Sequence, residues 1–134
     1  MIKEVKTIAG ADASGGTVTW SSEKNRYIFK GGTIGWQMIE TRGVVVVDTG
    51  AYGLVAILPV AMCQVSSVRF EEEIRVGAEV KKGDRMGRFR FGGSDVVMLF
   101  QKGITLNVTV PKNATGDYEH VNACSQYGVL GKES

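Results

Sequence analysis

The chain has 134 residues, and 16 Lys and Arg against 14 Asp and Glu leave a net charge of +2. That near-balance excludes a polybasic nucleic-acid binder, and the longest apolar run, residues 54–62, carries Pro59 and falls short of the ~18 residues a membrane-crossing helix needs. One compact domain over 1–134 is expected, since a chain of this size buries roughly two thirds of its unfolded surface on folding.

In chain order, residues 1–6 mix Lys3, Glu4 and Lys6 with apolar side chains and lead into no apolar core of a secretory leader. A cytoplasmic protein is therefore expected, with peripheral attachment to a membrane as the second reading. The first dozen residues read as a loose end, and 10–16 as a loop. The chain contains 18 Val, 8 Ile and 9 Thr against 5 Leu and 9 Ala, a usage that favours strands over helices. Short apolar or alternating runs bounded by glycine place strands at 17–20, 27–30, 36–41, 44–48, 53–60, 64–70, 88–91, 95–101, 105–110 and 128–130. The fold class is all-β, a sandwich or barrel-sandwich-like hybrid of short strands in a single domain.

Val44 to Val47 show no alternation, which predicts a strand covered on both faces. The turn residues of 48–53 then lead into a second apolar strand, so these two should pair at the centre of the sheet. Glu71-Glu72-Glu73 reads as a solvated face. Cys63 and Cys124 lack the spacing of a zinc site and read as reduced, partly buried thiols. No metal is expected. The lone histidine, His120, falls in a polar loop, and Gly31-Gly32-Thr33-Ile34-Gly35 lacks the Lys-Ser/Thr ending of a phosphate loop.

The chemically informative stretch is 76–103. Gly77 and Gly83 bracket Val80 as two tight turns, and Asp84 is placed to bond the backbone of the second. Arg88-Phe89-Arg90-Phe91 alternates, with both aromatics on one face and both cations on the other. The strand breaks at Gly92-Gly93-Ser94 and resumes as Val96-Val97-Met98-Leu99-Phe100. Two glycines leave the Gly93 carbonyl sterically open to the Ser94 hydroxyl, while a glycine bulge between strands accounts for the same residues without chemistry. The pairs Trp20/Trp36 and Phe89/Phe91 could line a pocket or fill the core.

The segment resembles the carboxy-terminal part of the phosphatidylserine decarboxylase family, whose members form their own pyruvoyl group by self-cleavage before a serine in a Gly-Ser-Thr or Gly-Gly-Ser-Thr motif. Phe91-Gly92-Gly93-Ser94 falls at that motif, after 80–89, which are similar to the family's Lys-Gly-(Asp/Glu)-x-(Met/Leu)-Gly-x-Phe approach. Upstream, 41–48 are similar to the family's Arg-led apolar strand, and 53–62 with 65–68 to its next strand and Val-(Gly/Ser)-Ser turn. The resemblance is clearest over 35–103. It implies a pyruvoyl-dependent carboxy-lyase cleaved between Gly93 and Ser94, with Ser94 as cofactor precursor, Gly93 as the scissile carbonyl and Gly92 beside it. The implied substrate is the head group of phosphatidylserine or a free amino acid, with no nucleic acid and no membrane-spanning segment.

Two departures stand beside it. No histidine occurs in 1–35, where the family supplies an Asp and a His that activate the serine, and His120, downstream of Ser94, matches no family motif and is given no role. Asp95 replaces the usual Thr or Ser. A truncated or partial form is therefore expected, completed by an upstream chain or a homo-oligomer. A catalytically inactive β domain binding an amino acid or a protein is the alternative. A biotinyl- or lipoyl-type carrier shares the Val-Lys-Lys-Gly-Asp turn but requires a modified-lysine tip that this sequence does not have.

Overall fold

The computed structural model of the chain describes residues 1–10, 16–31, 39–61, 65, 67–90 and 94–133. Ten strands and no helix are present among them: β1 (Ile2–Ile8), β2 (Gly16–Ser21), β3 (Arg26–Gly31), β4 (Thr41–Asp48), β5 (Leu54–Ala61), β6 (Val68–Phe70), β7 (Gly87–Phe89), β8 (Asp95–Phe100), β9 (Ile104–Val108) and β10 (Gly128–Lys132). The all-β expectation holds. An antiparallel four-stranded sheet in the order β1-β4-β5-β8 carries the core, with β2–β3, β6–β7 and β9–β10 as two-stranded ribbons. Among the described residues the sheet is open, its edges being β1 and β8.

The valine-rich β4 and the apolar β5 are the two inner strands, as their composition predicts. The turn between them closes on its own polar groups. Gly50 N–H donates to Asp48 Oδ1 at 2.9 Å, and the Thr49 hydroxyl donates to the Gly53 carbonyl at 2.9 Å. Pro59 lies inside β5 at a place where a main-chain donor would face Gly43. The β4–β5 ladder accordingly runs from Arg42↔Val60 to Val45↔Ile57 and skips the two pairs between.

One face of the sheet is built around Ile2, Val45 and Ile74, with Val5, Val47, Phe70, Val80 and Met86 packed against them. The β6–β7 ribbon lies on this face. Phe70 comes so close that a Cβ on Gly43 would stand 2.4 Å from its Cζ, so only glycine fits beneath the ring.

Several expectations are corrected. The first residues are not a loose end. Ile2 is fully buried, β1 pairs with β4 over Ile2↔Val47 to Ile8↔Arg42, and the Ile2 N–H donates to the Ala78 carbonyl at 2.8 Å. Coverage of β4 on both faces is only partial: Gly43 and Val45 are buried beneath the ribbon and the Ile74 segment, while Arg42, Val44 and Val46 on the other face are half-buried. The strand expected at 36–41 begins at Thr41, because Ile39 and Glu40 form a bend, and residues 36–38 lie outside the described residues. The strand expected at 64–70 is reduced to Val68–Phe70, with Val65 in a turn. Gly16 belongs to β2 rather than to the 10–16 loop, of which 11–15 lie outside the described residues. Cys124 is exposed, since its irregular stretch between β9 and β10 offers little to bury it, and Cys63 lies outside the described residues.

Candidate functional site

The approach to Ser94 is built by local turns. Gly77 (φ +86°) and Gly83 (φ +94°) take the left-handed conformation that glycine adopts without strain. Asp84 closes the second turn, accepting the Lys81 N–H on Oδ2 at 2.7 Å and donating its own N–H to the Lys81 carbonyl at 3.1 Å. From there the chain enters β7, which pairs with β6 in the register Val68↔Phe89, Arg69↔Arg88 and Phe70↔Gly87. The expected alternation holds over the described part: Arg88 and Arg90 are exposed and Phe89 is half-buried. Phe91 lies outside the described residues.

Gly92 and Gly93 also lie outside them, so the geometry of the expected scissile carbonyl is not described. Both flanks of 91–93 are pinned. On the ribbon side the Arg90 N–H donates to the Ser67 hydroxyl at 3.2 Å. On the sheet side the half-buried Ser94 donates its hydroxyl to the main-chain carbonyl of Val60. Residues 91–93 thus join the ribbon to the sheet between two hydroxyl-anchored ends, and Ser94 stands at the start of β8, an edge strand, as the strand break predicts.

Ser94 is followed by Asp95, which is exposed and pairs with Val60 across β5–β8. Val96 comes next and lines an apolar cavity of about 150 Å³ between ribbon and sheet, together with Ile57, Pro59, Val68, Phe70 and Phe89. Two residues of extended chain span about 7 Å and return to the same face, so Ser94 lies at the end of this cavity's wall. Arg69 and Arg88 also border it, Arg88 reaching Glu71 at 3.3 Å across an exposed rim. Of the aromatics read as pocket lining or core, Phe89 lines this cavity, Trp20 is exposed, and Trp36 and Phe91 lie outside the described residues.

His120 is exposed in the stretch between β9 and β10. Glu72 and Glu73 are exposed, as a solvated run predicts, while Glu71 is half-buried and paired with Arg88. Among the described residues no three His, Cys, Asp or Glu side chains are grouped to hold a metal ion, and no helix is long and apolar enough to cross a membrane. Two features escape sequence reading. The Val60 carbonyl that holds Ser94 is a main-chain group and has no side-chain signature. Glu40 is buried to 2% exposure although its neighbours in sequence are polar or half-exposed, and its carbonyl accepts the Arg42 guanidinium at 3.1 Å.

Fold and site together define an all-β domain that holds a serine hydroxyl at the mouth of an edge strand, behind a glycine pair and beside an apolar cavity. The model of the family described as phosphatidylserine decarboxylase matches residues 1–126, a wider span than the 35–103 in which the resemblance is clearest. The chain belongs to the phosphatidylserine decarboxylase family. It is similar to a phosphatidylserine decarboxylase proenzyme 2 of Oryza sativa subsp. japonica, with 39% identity over 61 residues covering 46% of this chain and 10% of that protein. A phosphatidylserine decarboxylase proenzyme 2 of Komagataella phaffii is 39% identical over 54 residues, covering 40% of this chain and 5% of that protein. The matched segments are thus a small part of the length of these relatives. No solved structure matches.

Proposed function

We propose that this chain is the pyruvoyl-forming region of a decarboxylase, cleaved between Gly93 and Ser94, and that it works as part of a larger assembly supplying the groups it lacks. The observation that carries the reading is the anchoring of the Ser94 hydroxyl on the Val60 carbonyl, directly after the Gly-Gly pair, in a chain of this family. A nucleophile acting on its own preceding peptide bond must be held in one rotamer, and this hydrogen bond does that.

The chemistry balances on Ser94 and Gly93 alone with one water. Ser94 Oγ attacks the Gly93 carbonyl carbon, and the peptide nitrogen leaves with the hydroxyl proton to give an ester and a free amine. Loss of the residue-94 Cα proton expels the Gly93 carboxylate and leaves a dehydroalanine. Addition of water and loss of ammonia turn that residue into a pyruvoyl group. The site fits such a group: residue 94 is half-buried, follows a glycine pair and adjoins an apolar wall at Val96. Once formed, the group supplies a ketone that withdraws the electron pair left when carbon dioxide departs from an amino-acid carbon. Pro59, Phe89 and Val96 supply an apolar wall on one side of that position.

The substrate is an amino acid or the serine head group of phosphatidylserine, bound with an upstream chain or a further copy completing the site. A second reading, a β domain that binds such a ligand without being cleaved, is favoured by Asp95, which puts a carboxylate where an oxyanion must develop. Intact mass under denaturing conditions separates the two. Wild type should give one fragment ending at Gly93 and a second beginning at a blocked residue 94, and Ser94→Ala should give only the whole chain. A single whole-chain mass in both, alone and after mixing with the upstream part of a relative, would sink the decarboxylase reading.

A further inference from the structure

The apolar cavity between the β6–β7 ribbon and the sheet reaches the surface next to Ser94. Its side chains converge by register: Pro59 stands opposite Val96 and Ile57 opposite Met98 on one face of the sheet, and Val68 stands opposite Phe89 on the inward face of the ribbon. Val96 is 54% and Met98 46% exposed, whereas Ile57, Val68, Phe70 and Phe89 behind them are half-buried. The cavity is thus entered from β8, on the face that Ser94 shares with Val96 and Met98.

Its size and chemistry restrict what can occupy it. At about 150 Å³ it matches the engineered apolar cavity that takes up a benzene ring, and it exceeds the voids that an ordinary core leaves. Arg69 and Arg88 border it, but the alternation of the ribbon puts both on its exposed side, and Arg88 is engaged with Glu71 at 3.3 Å. The walls behind that rim are apolar, so an anion placed between them would lose its hydration with no partner to replace it.

The cavity also lies at the right reach. Two residues of extended chain set Val96 about 7 Å from residue 94, a distance that an aromatic or branched aliphatic side chain spans from an amino acid whose amine is held at residue 94. In the head group of phosphatidylserine the same Cβ carries the phosphodiester, and the acyl chains follow only beyond the glycerol. The head group would therefore bring an anion to the place where the walls are apolar.

We propose, on the role given above to residue 94, that this cavity receives the side chain of a free amino acid, aromatic or branched aliphatic, and selects it over the phospholipid head group. Val96, between residue 94 and the inner walls, is the specificity-determining residue. Met86, which also lines the cavity, carries a flexible thioether that adjusts to a ring or a branched chain.

The test is ligand binding to the Ser94→Ala chain, which cannot be cleaved before residue 94, followed by the methyl resonances of Ile57, Val68 and Val96. L-Phenylalanine and L-leucine should shift these resonances saturably, and L-alanine, with almost no side chain to bury, should bind at least about tenfold more weakly. O-Phospho-L-serine and dihexanoyl-phosphatidylserine should leave them in place. Val96→Phe fills the entrance with a residue that suits a strand, and it should lose the response to phenylalanine at Ile57 and Val68 with unchanged far-ultraviolet circular dichroism. Met98→Ala, on the same face but outside the lining, should keep it. No shift with phenylalanine or leucine, an equal response to alanine, persistence of the response in Val96→Phe, or shifts with phosphoserine or the lipid instead would each overturn the proposal. The readout needs no pyruvoyl group and so stands apart from the cleavage assay. Phenylalanine binding in a chain whose wild type stays whole by mass would count against the decarboxylase reading alone, and cleavage without phenylalanine binding against the cavity assignment alone.

Discussion

The Ser94 hydroxyl donates to the carbonyl of Val60, the residue that Asp95 faces across the β5–β8 ladder. A single main-chain oxygen thereby ties the expected nucleophile to the inner strand β5, just past Pro59. In the proposed cleavage the sheet supplies orientation, and removal of the hydroxyl proton falls to another group, because a carbonyl accepts a hydrogen bond without taking the proton.

Asp95 is the residue expected to limit self-cleavage. It is exposed, and in the proposed cleavage it follows the bond whose carbonyl oxygen becomes an oxyanion. One like charge a few ångströms away in a largely aqueous setting changes a rate by roughly three- to tenfold. Asp95→Thr should accelerate appearance of the two fragments by about that factor, and the gain should shrink in high salt. Densitometry of a time course reads it, and an unchanged or slower rate would count against a charge effect at this position.

The amino-terminal strand is expected to be integral to stability. Ile2 is fully buried between Val45 and Ile74, so Ile2→Ala should cost about 3 kcal/mol, the middle of the range for truncating a large core side chain. Val76, 64% exposed in the turn that covers Ile2, should tolerate Val76→Ala within about 0.5 kcal/mol. Urea unfolding of the two variants separates these outcomes.

The close packing of Phe70 on Gly43 gives a steric prediction. Gly43→Ala introduces a Cβ 2.4 Å from the ring, which Phe70 can relieve only by moving out of the core. A loss of about 1–3 kcal/mol is expected, the usual range for overpacking. Phe70→Leu in the same chain should recover part of it. Strict additivity of the two changes would show that the ring and the glycine are not in contact.

What the sequence discloses follows the length scale of the interactions. The unbroken valines of 44–47 and the apolar 54–60 announce two inner strands because a strand flanked on both sides needs side chains that tolerate burial. Asp84 beside Gly83 announces its turn because the hydrogen bonds stay within four residues. The role of 1–8 is hidden, since Lys3, Glu4 and Lys6 give the stretch the look of a solvated end. What makes Ile2 a core residue is Ile74, far along the chain, together with the Gly77–Ala78 turn. At the site, Gly92-Gly93-Ser94 is visible as a motif, but its anchor on Val60 is a backbone oxygen that any residue would carry. The 91–93 bridge gives no local sign of the Ser67 hydroxyl that fastens its other end.

The β4–β5 turn supplies a pH dependence. The Gly50 N–H bond to the Asp48 carboxylate, helped by Lys3 at 3.3 Å, holds that carboxyl below its ordinary value of 3.8. A carboxyl with a lowered folded pKa adds stability that is complete above the unfolded value and is lost as the pH falls through the folded one. Wild type should therefore be more stable than Asp48→Asn at neutral pH, and the difference should close as the pH is taken below 3.8. Because Asp48 is solvent-accessible, the difference should be modest and should shrink with added salt. Thermal melts of the two proteins between neutral pH and the acid limit, at low and high ionic strength, test this. A gap of constant size down to the acid limit would show that the Asn variant acts through something other than the lost charge.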